Sequence, residues 1–376
     1  MRILLISTSY PRQNDGTEAA GSFVEDFVSA LSKIAEVAVV APGFDQELVE
    51  SCDGIDIYRF VSTDAALSTL NPFNPLQWQK IFGTLSSGQR CSNNAVKEFR
   101  PDHILALWAL PSGYWARSAG RKYNIPYSTW ALGSDIWSLG TIPFVRKVLK
   151  SVLVGAQVQF ADGYDLSVDV RTISNSECHF LPSTRVLETQ NNRLRDTWPY
   201  RLSFLGRWHS NKGIDILLDA LMMLSDDDWE KIDSVRIEGG GPLDEVVREK
   251  ATVLSRLDRP VRIGQYLNRD EAKALLVNTD YLIIPSRIES IPVIFSDAMQ
   301  CKCPVIVTPV GDLPRLLREY QCGILVDDVT PEAIVDGIKK ALATMPISYE
   351  KGLLEASTLF DIDKSARKCV DLLEKQ

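Results

Sequence analysis

Histidine is scarce in this chain: among 376 residues there are only His103, His179 and His209. A histidine-rich metal centre is therefore excluded, and imidazole acid–base chemistry has little material. The seven cysteines are an odd number without small-domain spacing, so a disulfide framework is not expected and the thiols read as reduced, in the cytoplasm. Cys301-Lys302-Cys303 has no second Cys/His cluster beside it, which argues against zinc. No apolar run reaches the roughly 18 residues needed to span a bilayer. Met1 to Ser7 is too short for a signal peptide and reads as a first strand. Basic excess is missing as well. With 41 Lys and Arg against 49 Asp and Glu, the net charge of -8 argues against nucleic acid, whose phosphates demand cations. Any anionic ligand must then meet a local positive cluster.

What is present suits large cores: 45% of residues are hydrophobic and 24% charged. Short β-rich runs (Ile3 to Ile6, Val37 to Val40, Ile55 to Val61, His103 to Leu107, Tyr127 to Trp130) alternate with amphipathic stretches such as Phe23 to Leu31 and Gly113 to Tyr123. This is the wiring of a parallel sheet covered on both faces. The alternation lapses over Ser183 to Pro199, which reads as a linker. It resumes at Leu202 to Leu205, Ser234 to Glu238, Val261 to Ile263, Tyr281 to Ile284, Val305 to Val307 and Ile324 to Val326. The expected fold is α/β, with two tandem Rossmann-like doubly wound parallel-sheet domains and a cleft between them. The domains run from 1 to 185 and from 186 to 360, and a last helix over 361–376 packs back on the first.

Ligands of doubly wound sheets bind at the carboxyl ends of strands, and three strand-to-helix loops there carry chemistry. Gly206-Arg207-Trp208-His209-Ser210-Asn211-Lys212-Gly213 puts two cations at a helix start, where free N–H groups also favour an anion. It is not a Walker A loop. Surface ion pairs are its bland alternative. Glu238-Gly239-Gly240-Gly241-Pro242 lets backbone approach a ligand closely, or simply makes a tight turn. Pro285-Ser286-Arg287-Ile288-Glu289-Ser290-Ile291-Pro292 places a carboxylate, Glu289, at a strand exit, with proline at the first helical position and Asp297 eight residues on. Carboxylates accept from hydroxyl pairs. An acid complementing the helix dipole is the alternative.

Together these segments resemble the retaining glycosyltransferases of family 4, the group 1 transferases with the GT-B fold. The first loop, Pro11 to Gly21-Ser22-Phe23, the segment Gly133-Ser134-Asp135, Pro304-Val305 and Gly311-Asp312-Leu313 carry the likeness along nearly the whole chain. The resemblance implies a hexosyltransferase-type enzyme moving a sugar from a UDP- or GDP-linked donor to a glycan or lipid-linked glycan, in cell-surface polysaccharide or glycoconjugate synthesis. It implies that Arg207 and Lys212 grip the donor diphosphate beside Gly206 and Gly240. Glu289, Ser290 and Ile291 would hold the donor sugar. Asp297, at the family's second glutamate position, would bind ribose, and Tyr266 and Leu267 would border the base. Gly16, Gly21, Ser134 and Asp135 would lie in the acceptor and phosphate loops of the first domain.

The chain departs from the family pattern at Leu132, where many relatives carry histidine. In a retaining transfer with internal return the leaving phosphate can take the proton itself, so activity is still expected. The alternatives are a degenerate nucleotide-sugar-binding partner and, further off, a sugar-nucleotide epimerase. No metal is expected, since Arg207 and Lys212 neutralise the diphosphate and Asp226-Asp227-Asp228 reads as a solvated helix end. Phe144, Val145, Val148, Leu149, Val152 and Leu153 recur at helical spacing opposite Arg146, Lys147 and Lys150. A core-packed helix with a basic outer face is the expectation, and peripheral contact with the inner membrane face the alternative. Asn71 to Trp78 reads as an aromatic loop.

Overall fold

The structure, a computed structural model, describes residues 1–11, 18–62, 74–187 and 194–375. The chain divides into two compact units, Met1–Pro182 with Ile362–Gln376, and Ser183–Asp361.

In the first unit the strands are β1 (Arg2–Ile6), β2 (Glu36–Pro42), β3 (Leu48–Cys52), β4 (Ile55–Phe60), β5 (His103–Leu107), β6 (Tyr127–Ala131), β7 (Gln159–Ala161) and β8 (His179–Phe180). They form one sheet in the order β3-β4-β2-β1-β5-β6-β7-β8, parallel except for the β3–β4 pair. Its helices are α1 (Glu18–Ser32), α2 (Pro75–Phe99), α3 (Ser112–Tyr123), α4 (Ser134–Trp137), α5 (Pro143–Gly155) and α6 (Tyr164–Ser174). Side chains alternate across a strand. Leu4, Ile6, Ala38, Val40, Ile104 and Ala106 therefore face one core, shared with α2, α3, α5 and α6. Leu107 and Trp130, in register on β5 and β6, belong to the other face. There Phe27 of α1 meets Trp130 edge-on at 4.9 Å.

The segment expected as an aromatic loop is instead the start of α2. Asn74 Oδ1 accepts from Leu76 N–H at 3.0 Å, so it caps a helix that proline then opens; Asn71 to Phe73 lie outside the described residues. Strand β3 lacked a sequence signal because it has no buried face: its side chains, apolar Leu48 and Val49 included, are mostly exposed.

The second unit contains β9 (Tyr200–Arg207), β10 (Ile232–Gly240), β11 (Val261–Ile263), β12 (Tyr281–Ile284), β13 (Val305–Val307) and β14 (Gly323–Leu325), in the order β11-β10-β9-β12-β13-β14. Every pairing is parallel. The helices are α7 (Ile214–Met223), α8 (Asp226–Trp229), α9 (Asp244–Arg256), α10 (Arg269–Val277), α11 (Val293–Gln300), α12 (Leu313–Tyr320), α13 (Pro331–Leu342) and α14 (Glu350–Ser357). Asp226 to Asp228 open α8 rather than ending a helix. Ser225 and Asp228 form a capping box, Arg259 pairs with Asp226, and all three acids complement the helix dipole. The last helix, α15 (Ile362–Glu374), lies in the first unit against α1, with Lys33 Nζ 2.9 Å from Asp363. Lys368 Nζ also donates to the Phe180 carbonyl at 2.8 Å.

His103 is buried on β5, its Nε2 2.9 Å from Ser128 Oγ, and burial pushes its pKa down to about 4. An imidazole with a depressed pKa contributes stability above its unfolded pKa, near 6.5, and loses it as pH falls through 4. A His103→Gln variant should therefore gain on its parent by up to about 1.4 kcal/mol per pH unit across that window. Unfolding midpoints of both proteins at each pH check this.

Candidate functional site

In the second unit the loops after β9, β10, β12 and β13 leave the carboxyl edge of one sheet. Four very close backbone approaches, each at a glycine, fix their shape. Gly213, at φ +69°, stops the short 3₁₀ turn Ser210–Lys212 and caps α7. A Cβ there would overlap the Pro285 carbonyl oxygen. Gly239 and Gly241, at φ +147° and +144°, press on Gly206 and Trp208 in the same way. Gly311, at φ +51°, lies against the carbonyls of Glu289 and Ser290. At these positions an L side chain has neither the space nor the backbone conformation.

Polar contacts then zip the first and third loops together. Arg287 N–H donates to the Asn211 carbonyl at 2.8 Å. The Arg287 guanidinium donates to Ser210 O at 2.6 Å and grips Asp215 at 2.8 and 2.7 Å. Burial raises the Asp215 pKa, but Arg287 outweighs it and holds the carboxyl below its usual range. His209 Nδ1 accepts from Asn211 N–H at 3.1 Å, so this histidine caps the turn Ser210–Lys212 of the first loop. The result is that Lys212 Nζ meets Glu289 Oε1, with Ser286 Oγ also on that oxygen at 3.3 Å.

Around this pair, donors stand unused. Among the described residues the exposed Arg207 guanidinium has no hydrogen bond or ion pair, and its stem rests on Gly241. The N–H groups of Ser290 and Ile291 likewise donate to nothing, and the buried Ser290 Oγ has no partner. Pro292 is the N-cap of α11 rather than its first residue, so those N–H groups precede the helix and lie at its positive end. Half-exposed Tyr266 donates from its hydroxyl to Gly240 O at 2.6 Å, its ring over that glycine. Glu238 is structural: it is buried, takes the Arg236 guanidinium, and accepts from Gln265 N–H at 3.2 Å. It thereby braces the segment leading to Tyr266 and Leu267. Gly206, Arg207, Lys212, Gly240, Tyr266, Leu267, Glu289, Ser290 and Ile291 thus belong to one set of adjoining loops.

Asp297 does not present a carboxylate. It is fully buried in α11, and Arg185 holds its Oδ2 at 2.8 and 2.5 Å. The ribose contact implied for it has no exposed acceptor, because the guanidinium occupies that oxygen. In the first unit, Asp135 is equally buried and accepts from Ala109 N–H at 2.5 Å and Leu132 N–H at 3.2 Å. Burial pushes its pKa up to about 6 despite those bonds. It shapes the loops after β5 and β6; Ser134 beside it is exposed. Gly21 sits inside α1, where a Cβ would meet the Tyr10 backbone, and Gly16 lies outside the described residues. Sequence reasoning missed Arg287 and Arg185. Their partners stand 72 and 112 residues away, and no local pattern announces such pairs. Among the described residues, no group of three or more His, Cys, Asp or Glu is gathered as metal ligands.

Because Gly213 carries the approach of the two loops, Gly213→Ala should separate Lys212 from Glu289. Both the overlap with Pro285 and the positive φ oppose a side chain there. We expect at least about 1–3 kcal/mol of lost stability, together with weaker nucleotide binding, measured by chemical unfolding and calorimetry.

Comparison with known proteins places this geometry. The family model for glycosyl transferases group 1 matches residues 199–344. A Bacillus subtilis (strain 168) protein named for teichuronic acid biosynthesis, the glycosyltransferase TuaC, is 24% identical over 367 residues, covering 90% of this chain and 89% of its own. A D-inositol 3-phosphate glycosyltransferase of Corynebacterium glutamicum is 32% identical over 38% of this chain and 34% of its own. Among solved structures, Anabaena Alr3699/HepE in complex with UDP and glucose superposes with a TM-score of 0.72 at 15% identity, covering 100% of both chains. Trehalose-6-phosphate synthase OtsA gives 0.77 at 10% identity, covering 100% of this chain and 99% of its own. Residues 199–344 are thus similar to the group 1 glycosyl transferases, and the two parallel-sheet α/β domains, with the matched loops at the strand ends of the second, have the GT-B fold.

Proposed function

We propose that this protein is a retaining, metal-independent hexosyltransferase acting on a nucleotide-diphosphate sugar, UDP- or GDP-linked, with a glycan or lipid-linked glycan as acceptor. The observation that carries the reading is the Lys212–Glu289 pair, with the unengaged Arg207 on the loop of Lys212 and the free N–H groups of Ser290 and Ile291 on that of Glu289. A diphosphate would draw Lys212 off Glu289 and take Arg207 as well. The freed carboxylate, beside Ser290, would accept from sugar hydroxyls. The relative named for teichuronic acid synthesis supports an anionic cell-surface polysaccharide as the setting. The neighbour solved with UDP and glucose supports a UDP-linked donor.

In this reading the bond from the anomeric carbon to the leaving phosphate oxygen breaks as the acceptor hydroxyl attacks from the same face. The acceptor proton passes to that phosphate oxygen, so Leu132 need not be a base. Arg207 and Lys212 stabilise charge growing on the leaving diphosphate, where such groups act most strongly. Gly21, Ser134 and Asp135 would shape the acceptor side of the first domain. Asp135 would do so by holding backbone, and Asp297 is left out of the donor contacts.

One further reading, a catalytically degenerate nucleotide-sugar-binding partner, is favoured by Leu132 together with the sequestered Asp297. A sugar-nucleotide panel with candidate acceptors, scored for UDP or GDP release, separates the two: turnover is expected, and donor binding without turnover would favour the partner. Arg207→Ala and Lys212→Ala should each lower kcat/KM roughly 10²- to 10³-fold. Excess EDTA should leave the rate unchanged, and NMR of the first-formed product should show the donor's anomeric configuration.

A further inference from the structure

In the first unit, α2, α3, α5 and α6 lie side by side in one layer, each packing on the next. The centre of this layer is electrostatically one-sided. Helices α3 and α5 together carry Arg117, Arg121, Lys122, Arg146, Lys147 and Lys150, and no Asp or Glu, in a chain of net charge -8. Among the described residues none of the six cations makes an ion pair or a side-chain hydrogen bond, and Arg117 Nε is buried without a partner. On α5 the division is sharp. Leu149, Val152 and Leu153 face the core, while Arg146, Lys147 and Lys150 are exposed.

Apolar side chains stand at one end of the same layer. These helices run antiparallel to the strands, so their N-termini share the carboxyl edge of the sheet. Phe144 in the first turn of α5 is 77% exposed, and Tyr114 in the first turn of α3 is 46% exposed. In α2, Leu76 is 88% and Phe82 63% exposed. Burial in that helix begins only at Thr84. At 1.5 Å per residue α2 is about 37 Å long against about 18 Å for α3, so its first turns have no neighbour to cover them. Isolated exposed apolar residues need no explanation, but four at one edge beside a field of unpaired cations do.

We propose that the outer face of α2, α3 and α5 docks this protein peripherally on an anionic lipid surface. The six cations meet the headgroup charge, and Leu76, Phe82, Tyr114 and Phe144 enter the interface. The two signals are complementary: cations alone give a salt-sensitive contact, and apolar side chains add a salt-resistant one. The surface deepens the lipid-linked acceptor of the proposed function. It also holds the carboxyl edge of the first sheet, where ligands bind, toward the membrane.

The test is co-sedimentation of the full chain with vesicles of phosphatidylcholine alone or mixed with phosphatidylglycerol, across a salt series, with UDP affinity measured in parallel by calorimetry. Binding to the mixed vesicles, little to phosphatidylcholine, and a steep salt dependence are expected. R146E/K147E/K150E should lower partitioning about 100-fold or more, at about tenfold or somewhat less per cation, with UDP affinity and thermal midpoint unchanged. Phe144→Ala should weaken what binding persists at high salt. If the triple variant fails to fold, Lys150→Glu reads the same direction. Equal binding to both vesicles, no binding, or a folded charge-reversed variant that binds like its parent overturns the proposal. So does capture by soluble polygalacturonate without vesicle binding, which would assign the surface to an anionic glycan. Vesicle binding without any nucleotide binding would instead count against the donor reading alone.

Discussion

The contact on which the second unit's site depends is the meeting of two backbones at Gly213 and Pro285. The neighbouring interactions follow from it. With no side chain between them, the loops after β9 and β12 come close enough for Arg287 to reach across to Asp215 and Ser210. Lys212 is then carried to Glu289. The loop after β13, through Gly311, supports the back of Glu289 and Ser290. The glycine turn after β10 supports Arg207 and Tyr266. Glycines thus make the framework, and the charged side chains inherit their positions from it.

This framework explains how an acidic protein can accommodate an anion. Net charge acts at long range and is screened over about 8–10 Å in physiological salt. The local field is set by Arg207, Lys212 and the N–H groups ahead of α11. Lys212 and Glu289 neutralise one another, so neither charge stands uncompensated. Elsewhere in the second unit acids are consumed in structure: Asp215 by Arg287, Glu238 by Arg236, Asp297 by Arg185. Glu289 differs in having a partner that a diphosphate could remove.

Most of the wiring was legible in the sequence because hydrophobic period and glycine position are local signals. Strands β5, β11, β12 and β13 stand where alternation and β-branched runs put them, and the capping box at Asn268 and Glu271 opens α10. Where the signal was not local the reading failed or was silent. The start of α2 is rich in proline and aromatics and resembles a loop until Asn74 is recognised as a cap. Asp297 looked available because its spacing from Glu289 could be counted, whereas Arg185, which takes it, comes from a distant segment. Asp135 was placed in a ligand loop by the family resemblance alone, and it too is buried, held by backbone N–H groups. A sequence shows which residues could ionise, but only packing shows which of them are already spoken for by backbone or by a buried cation.

The return of α15 to the first unit has a consequence for how the molecule is made. Residues 1–182 leave the ribosome long before 362–374 exist, so during synthesis the face of α1 that will receive α15 waits while the whole second unit is translated. At about 5–20 residues per second that interval is on the order of ten seconds or more. The second unit, continuous in sequence from Ser183 to Asp361, can close as soon as it emerges. The first domain to begin is therefore finished only after the second has been made.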